Sequence, residues 1–293
     1  MTWTEITRPK YERDFSRYAS DLTDDEWALI APILPPPKST GRPRTTPMRD
    51  VFDAILYIAS AGCAWRMLPN DFPAVSTVRY YFYGWRNDGL FEIINHLLVV
   101  AARELSDRDP CPTAGVIDSQ SIKTTESGGI RGYDAGKRIN GRKRHIITDT
   151  LGFLIGLVVH SAGVQDRDGA PEVLKSIRRS HPNLRHIFAD GGSAGPKMRD
   201  ALKGDGKWTI QVVKRSDTAV GFEVIPRRWV VERTFAWLNR CRRLAKDWEK
   251  SIESSKAWVL IANIRTLTRS IAKLSILIGR QNPKTDHCCW LFM

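Results

Sequence analysis

The sequence predicts an α/β protein in which an all-helical N-terminal region precedes a mixed five-stranded sheet with flanking helices. Apolar residues recur at helical spacing over roughly the first hundred positions, whereas short β-rich runs alternate with helical segments from Thr113 onward. A chain of 293 residues can bury a substantial core, as one large domain or two ordinary ones. We therefore expect a helical region over residues 1–106, an α/β domain over 113–277 and an unassigned tail over 278–293.

The helical region opens with recognisable start and stop signals. Thr23 can cap a first helix, and Glu26, three positions later, completes a capping box. A second helix is predicted over residues 47–61, and Gly62 is expected to end it because glycine accepts the left-handed conformation of a helix C-terminus.

A basic, aromatic helix is predicted next. Ser76 is expected to cap it and Arg86 lies near its end, while residues 91–105 form a fourth helix. A helix, a turn and a capped basic helix together indicate a helix-turn-helix-like module. Arg79 and Arg86 are seven positions apart on one face and could contact phosphates or guanine edges. Alternatively the aromatic side chains are core and the arginines face solvent, and the sequence leaves both readings open.

The loop between the first two helices is basic and rich in proline. It contains Arg42 and Arg44 in a Gly-Arg-Pro-Arg run over residues 41–44. Such a run can be a solvated linker, or it can be an arm that enters an A·T-rich minor groove.

Five short runs are predicted as strands, the second and third joined in a hairpin: residues 114–119, 144–150, 153–160, 185–189 and 208–213. Two shorter and two long helices are predicted around them: residues 166–180, 196–202, 229–250 and 253–277. Strands that first form a meander and then alternate with helices indicate a mixed sheet, and this order is compatible with an RNase H-like core.

The charge balance indicates a polyanionic partner. Lys and Arg number 45 and Asp and Glu 32, which gives a formal net charge of +13. Because the basic residues are clustered, nucleic acid is the preferred partner. No apolar run reaches the roughly 20 residues that span a bilayer, so we expect no membrane. The five cysteines lack zinc-ligand spacing and fit a reducing compartment, for which the cytoplasm is the simplest choice.

Three carboxylates are the strongest candidates for chemistry. Asp118 and Asp190 each follow a short apolar run that reads as the end of a buried strand, and Gly191 leaves room for a ligand beside the second. Glu232 lies on a basic helix, where the sequence pattern places it near the apolar stripe. Buried carboxylates need a compensating cation, and this set suits two-metal phosphoryl transfer on DNA. Asp166 and Asp168 are instead explained as helix-capping residues.

The segment between the first two strands is also basic. Residues 131–144 contain six Lys or Arg and one acid, Asp134, with three glycines. This composition predicts a mobile loop that follows DNA, and a solvated hairpin loop is the alternative.

At these residues the chain resembles bacterial insertion-sequence transposases of the DDE type, specifically the IS-five type. The matching stretches occur in the same order over roughly residues 22–272 and are residues 118–125, 131–137, 141–145, 164–170, 189–192 and 226–234. The resemblance implies an RNase H-like catalytic domain, with Asp118, Asp190 and Glu232 as ligands of Mg²⁺ or Mn²⁺, expected as two ions. It also implies a bacterial, nucleoid-associated enzyme that acts as a dimer on the terminal inverted repeats and target sites of double-stranded DNA.

The resemblance further implies a role for Arg228, which matches an arginine four positions before the glutamate in the related family pattern. Three positions depart from the family: Ile225 replaces a tyrosine, Asn239 a lysine and Ser193 a tyrosine. With the features above, the basic side chains expected to contact DNA are Arg42, Arg44, Arg79, Arg86, Lys123, Lys137, Arg138, Arg142, Lys143, Arg228, Arg233, Arg240, Arg243 and Lys246. Two alternatives remain open, namely an inactive DNA-binding relic or regulator, and a metal-dependent nuclease that joins no strands.

Overall fold

The computed structural model describes residues 16–37, 39–41, 43–191, 196–203, 208–213 and 228–281. Several positions singled out above lie outside these residues: Arg42, Ser193, Ile225 and the last part of the tail, residues 282–293.

The N-terminal region is helical, as predicted. It contains α1 (Asp24–Ile30), α2 (Met48–Ala61), α3 (Val75–Asn87) and α4 (Leu90–Glu104). The capping box at α1 is confirmed, because the Thr23 hydroxyl accepts from the Glu26 N–H while the Glu26 carboxylate accepts from the Thr23 N–H. Gly62 ends α2 with a φ of 69°, also as predicted. The prediction for Ser76 was wrong: α3 begins at Val75, so Ser76 lies in its first turn and does not cap it.

Among the residues that the structure describes, six strands form one mixed sheet. They are β1 (Ala114–Lys123), β2 (Gly132–Asp134), β3 (Ile139–Asp149), β4 (Leu154–Ser161), β5 (His186–Ala189) and β6 (Thr209–Val212). The main order is β4-β3-β1-β5-β6, with the short β2 paired to the first residues of β3. The β4-β3-β1 portion is antiparallel, and β1, β5 and β6 are parallel. All five predicted strands and the mixed sheet are confirmed, and β2 is an addition.

The predicted loop between the first two strands is largely wrong. β1 continues to Lys123 and β3 already begins at Ile139, so the two strands pair along nine residues from Gly115–Asp149 to Lys123–Gly141. The run of residues 139–145 therefore belongs to a strand inside the sheet. Asp118 consequently lies in the middle of β1 and not at its end.

Helices cover both faces of the sheet. On one face α5 (Asp166–Ile177) lies next to β1, β3 and β4, and α6 (Pro196–Ala201) packs beside it. On the other side α7 (Trp229–Leu238) contacts β1 and β3, and α8 (Ile252–Gln281) packs on α7, on β4 and on all four N-terminal helices. Trp258 of α8 stacks on Phe82 of α3 with ring centroids 4.7 Å apart, so α8 joins the helical region to the sheet in one core.

The single long basic helix predicted over residues 229–250 does not form. α7 ends at Leu238, and the chain turns through the 3₁₀ helix Arg242–Leu244 before α8 begins. The intervening segment is held against the end of β1, where the Asp247 N–H donates to the Lys123 carbonyl at 2.9 Å. Tertiary hydrogen bonds thus override the helical propensity of these residues. Within the described part of the chain, none of the helices combines the length and apolar character needed to cross a membrane.

Candidate active site

Asp118 and Asp190 come together because β1 and β5 are parallel neighbours. Val116 of β1 pairs with Phe188 of β5, and each aspartate lies two residues beyond its member of that pair. Adjacent strands are about 4.8 Å apart and side chains alternate between the two faces, so this register directs both carboxylates to the same face. Two predicted site residues, 72 positions apart in the sequence, are therefore adjacent in space.

The environment of Asp118 disfavours its charged form. Burial raises the pKa of Asp118 to about 6, and the negative charge of Asp190 adds to the increase. The Ser119 N–H, which donates to Asp118 Oδ1 at 2.7 Å, and the positive charges of Arg228 and Lys137 act in the opposite direction. A carboxylate in such a position gains from a nearby cation.

Glu232 reaches the same face from α7. Val231, Thr234 and Leu238 form the buried side of this helix, and the Glu232 side chain is 54% exposed. The prediction that it lies near the apolar stripe was therefore wrong. Glu232 is one position beyond Val231, and this step of about 100° turns its side chain away from the core.

The start of α7 is fastened to the hairpin turn between β3 and β4. Thr234 Oγ1 donates to the Gly152 carbonyl at 2.7 Å, and Arg233 Nη2 donates to the Leu151 carbonyl at 2.6 Å. Arg233 also lies between two indole rings, 4.4 Å from the centroid of Trp229 and 4.6 Å from that of Trp237. These contacts set the position of α7, and with it that of Glu232, relative to β1.

Arg228 connects the carboxylates. Its Nη2 lies 3.6 Å from Asp190 Oδ2, and its Nε lies 3.8 Å from Glu232 Oε1. Its charge also lowers the pKa of Asp118. One guanidinium therefore interacts with all three predicted carboxylates.

The donor set fits a divalent ion in part. Asp118 and Asp190 offer the oxygen ligands that Mg²⁺ and Mn²⁺ prefer. Within the described residues, however, no three Asp, Glu, His or Cys side chains converge closely enough to share one ion. Two of the three predicted ligands are thus adjacent, and Glu232 is linked to Asp190 through Arg228.

The opposite face of β1 carries a polar network that the sequence did not reveal. Ser119 Oγ donates to Asp166 Oδ1 at 2.8 Å, and Lys143 Nζ lies 2.9 Å from the same oxygen and 3.2 Å from Asp134 Oδ2. Asp166 is therefore an ion-pair partner and not the predicted cap, since α5 begins at Asp166 itself and Gln165 holds the cap position. This network borders a cavity of about 480 Å³, which also reaches Gly191, the residue after Asp190.

Lys137 interacts with two neighbouring residues of β1, Ser119 and Asp118, whose side chains lie on opposite faces of the sheet. The residue is exposed overall, its amine donates to the Ser119 carbonyl at 3.1 Å, and its charge lowers the pKa of Asp118. It is a predicted DNA-contact residue that the structure places beside Ser119, the residue after Asp118.

Seven of the thirteen predicted DNA contacts that the structure describes have exposed side chains. The exposed side chains are Arg44, Arg79, Lys123, Lys137, Arg138, Arg240 and Lys246. Arg86 is half-buried, with Nη1 donating to Ser254 Oγ at 2.6 Å, and both Arg79 and Arg86 lie over the Tyr83 ring. The predicted common face of these two arginines is therefore present.

Three predicted DNA contacts are buried instead. Arg142 is fully buried in an ion pair with Asp247 at 3.1 Å, and it also donates to the Ile130 and Lys250 carbonyls. Lys143 is enclosed between Asp134 and Asp166, and Arg243 is paired with Glu249. Because these charges are neutralised inside the protein, the structure does not offer them to DNA.

Comparison with known proteins gives matches in both regions. Residues 109–267 match the family model described as Transposase DDE domain, and residues 22–95 match one described as a transposase of the IS4/5 family. A Burkholderia cepacia protein named as a transposase for insertion sequence element IS402 is 31% identical over 126 residues, or 41% of this chain and 59% of that protein.

A second Burkholderia cepacia protein, an uncharacterized 16.2 kDa protein of insertion element IS402, is 32% identical over 117 residues, or 38% of this chain and 78% of its own length. The chain thus spans less than two thirds of the first of these relatives. No solved structure matches the chain.

Proposed function

The chain belongs to the Transposase DDE domain family, and we propose that it binds the terminal repeats of an insertion sequence and catalyses metal-dependent DNA cleavage and strand transfer. The observation that carries this proposal is the register of β1 and β5, which makes Asp118 and Asp190 neighbours on one face. Arg228 and the exposed basic side chains supply the positive charge that a DNA substrate needs nearby.

In this proposal Asp118, Asp190 and Glu232 hold two divalent ions, Mg²⁺ or Mn²⁺. When bound, such ions supply Lewis acidity that activates a water or a DNA 3′-hydroxyl and stabilises the leaving oxygen. Asp118 and Asp190 contribute oxygen ligands from the rigid sheet, where the Ser119 N–H orients one Asp118 oxygen. Glu232 completes the set from α7, where its exposed side chain is next to Arg228.

The protein's other residues position the substrate. Lys137 and Arg138 lie on the turn before β3, and Lys137 is close enough to Asp118 for its charge to lower the pKa of that residue. We propose that they contact phosphates next to the scissile bond, whereas Arg79 and Arg86 contact DNA farther away, on the helical region. A dimer on DNA would bring two element ends together and would act on DNA in the bacterial nucleoid.

The test uses the purified full-length chain with a duplex that carries the terminal repeats of its element, in Mg²⁺. We expect cleavage that leaves a 3′-hydroxyl, followed by joining of that end to a target duplex, and both products are resolved on a denaturing gel. Asp118→Asn and Asp190→Asn should abolish both steps, while Glu253→Gln, which neutralises an exposed acid at the start of α8, should leave both intact.

The same gel separates the alternatives. Cleavage without joined product would indicate a nuclease, and sequence-specific binding without cleavage would indicate an inactive DNA-binding protein. Cleavage that persists in Asp118→Asn would contradict the proposed mechanism.

A further inference from the structure

The guanidinium of Arg228 is held near two carboxylates without tight hydrogen bonds. Its distances of 3.6 Å to Asp190 and 3.8 Å to Glu232 exceed the 2.7–2.9 Å of a charge-assisted hydrogen bond. Its buried Nε has no hydrogen-bond partner among the described residues. The interaction is therefore mainly electrostatic, and the guanidinium can leave it without breaking a well-formed bond.

A divalent ion would bind the same carboxylates. Mg²⁺ takes carboxylate oxygens at about 2.0–2.1 Å, which brings the ion closer to Asp190 and Glu232 than the guanidinium is. Two cations drawn to the same pair of carboxylates repel each other at this separation. Ions held by Asp190 and by Glu232 therefore weaken the hold of these residues on Arg228.

The displaced guanidinium has an evident alternative partner. Its planar fork of donors matches a phosphate as well as a carboxylate. Arg228 lies at the N-terminal end of α7, four residues before Glu232, so it stays beside the predicted reaction site when it turns away from Asp190.

We propose that Arg228 competes with the divalent ion for Asp190 and Glu232, and passes to a DNA phosphate when the ion binds. Arg228 is then a positioning residue that couples ion loading to DNA binding. Because coupling between two ligands is reciprocal, DNA would in turn raise the affinity for the ion. This inference rests on the proposed function, since it takes Asp118, Asp190 and Glu232 as the ion ligands.

The experiment measures Mn²⁺ binding to the full-length chain by electron paramagnetic resonance of free Mn²⁺, at pH 8 and without DNA. We expect Arg228→Gln to bind Mn²⁺ roughly tenfold more tightly than wild type, because a competing charge about 4 Å away is removed. Arg228→Lys keeps the charge and should remain close to wild type. Arg179→Gln removes an exposed charge just after α5 and is the matched control, with an expected change below about twofold.

The second arm adds a pre-cleaved duplex that ends in the terminal repeat. Wild type should bind Mn²⁺ several-fold more tightly with this duplex, and Arg228→Gln should show a clearly smaller gain. If Arg228→Gln, with a melting curve showing that it is folded, binds Mn²⁺ no more tightly than Arg179→Gln, the competition is overturned. Mn²⁺ binding that survives both Asp118→Asn and Asp190→Asn would instead overturn the proposed ion site, and this inference with it.

Discussion

Asp118 of β1 and Asp190, the residue that follows β5, each lie two residues beyond the paired residues Val116 and Phe188 of these parallel strands. The register of the two strands therefore brings the two aspartates close together. Glu232 depends on a helix that is fastened to the β3–β4 turn by Thr234 and Arg233. The candidate site thus combines two ligands fixed by strand register with a third fixed by helix docking.

Replacing Asp118 should stabilise the folded protein and remove its activity. The folded protein raises the pKa of Asp118 to about 6, above its unfolded value, so near pH 7 the folded state carries a charge that its surroundings disfavour. Asp118→Asn should therefore increase the free energy of unfolding at pH 7 by about 1 kcal/mol, because water still screens part of the charge that the substitution removes. The same substitution should abolish DNA cleavage. Urea denaturation measures the first effect.

The same substitution should matter less in acid. Below about pH 4 both the folded and the unfolded chain carry a protonated Asp118, so the stabilising effect of Asp118→Asn should disappear there. If Asp118→Asn is less stable than wild type at pH 7, the charge of Asp118 stabilises the folded state, which contradicts this prediction.

Arg142 should prove to be a structural residue. Its buried ion pair with Asp247, together with its hydrogen bonds to the Ile130 and Lys250 carbonyls, holds β3 against the segment before α8. Arg142→Met leaves Asp247 as a buried charge without its main partner and should lower the free energy of unfolding by about 3 kcal/mol or more. Arg138→Met, on an exposed neighbour, should change it by less than about 0.5 kcal/mol. Similar denaturation midpoints for the two variants would contradict this assignment.

Lys137 and Lys143 should differ in their contribution to DNA binding. Lys137 is exposed, whereas Lys143 is enclosed between Asp134 and Asp166. Lys137→Gln should reduce the slope of log K against log salt by about one, the change expected when one phosphate contact is lost. Lys143→Gln should leave that slope unchanged, although it should destabilise the fold. Fluorescence anisotropy over a salt series measures both slopes, and an unchanged slope for Lys137→Gln would exclude a phosphate contact there.

His181 should make the protein less stable in mild acid. Burial lowers the pKa of His181 to about 4, and the charges of His96 and Arg103 act in the same direction. Because the unfolded side chain titrates near about 6.5, the unfolded state takes up a proton first as the pH falls, and stability decreases between about pH 6.5 and 4. One proton contributes at most about 1.4 kcal/mol per pH unit. His181→Gln should flatten this dependence in urea denaturation at pH 7 and pH 5, and an equally steep dependence in the variant would assign it to other groups.

Local patterns in the sequence were sufficient for several elements, including the two strands that precede or contain the aspartates. The capping box at Thr23, the glycine stop at Gly62 and the apolar runs before Asp118 and Asp190 all depend on neighbouring residues, and the corresponding helices and strands formed. The adjacency of the two aspartates followed only once β1 and β5 were known to be parallel neighbours.

Two of the errors have a common physical cause, which is pairing between residues far apart in the sequence. Arg142 is predicted as a surface cation because its partner, Asp247, is 105 positions away. The helix predicted over residues 229–250 is interrupted because the Asp247 backbone bonds to Lys123 of β1. Residue type and spacing contain no information about either contact, so a basic residue inside the sheet and one on the surface give the same signal.

The central claim is that Asp118, Asp190 and Glu232 hold divalent ions, and anomalous diffraction from crystals of the full-length chain soaked in Mn²⁺ tests it most directly. We predict at least one anomalous peak between Asp118 and Asp190, about 2.1 Å from an oxygen of each, with the Glu232 carboxylate moved toward it and away from Arg228. Strong Mn²⁺ peaks elsewhere on the protein, with none at these two aspartates, would contradict the account.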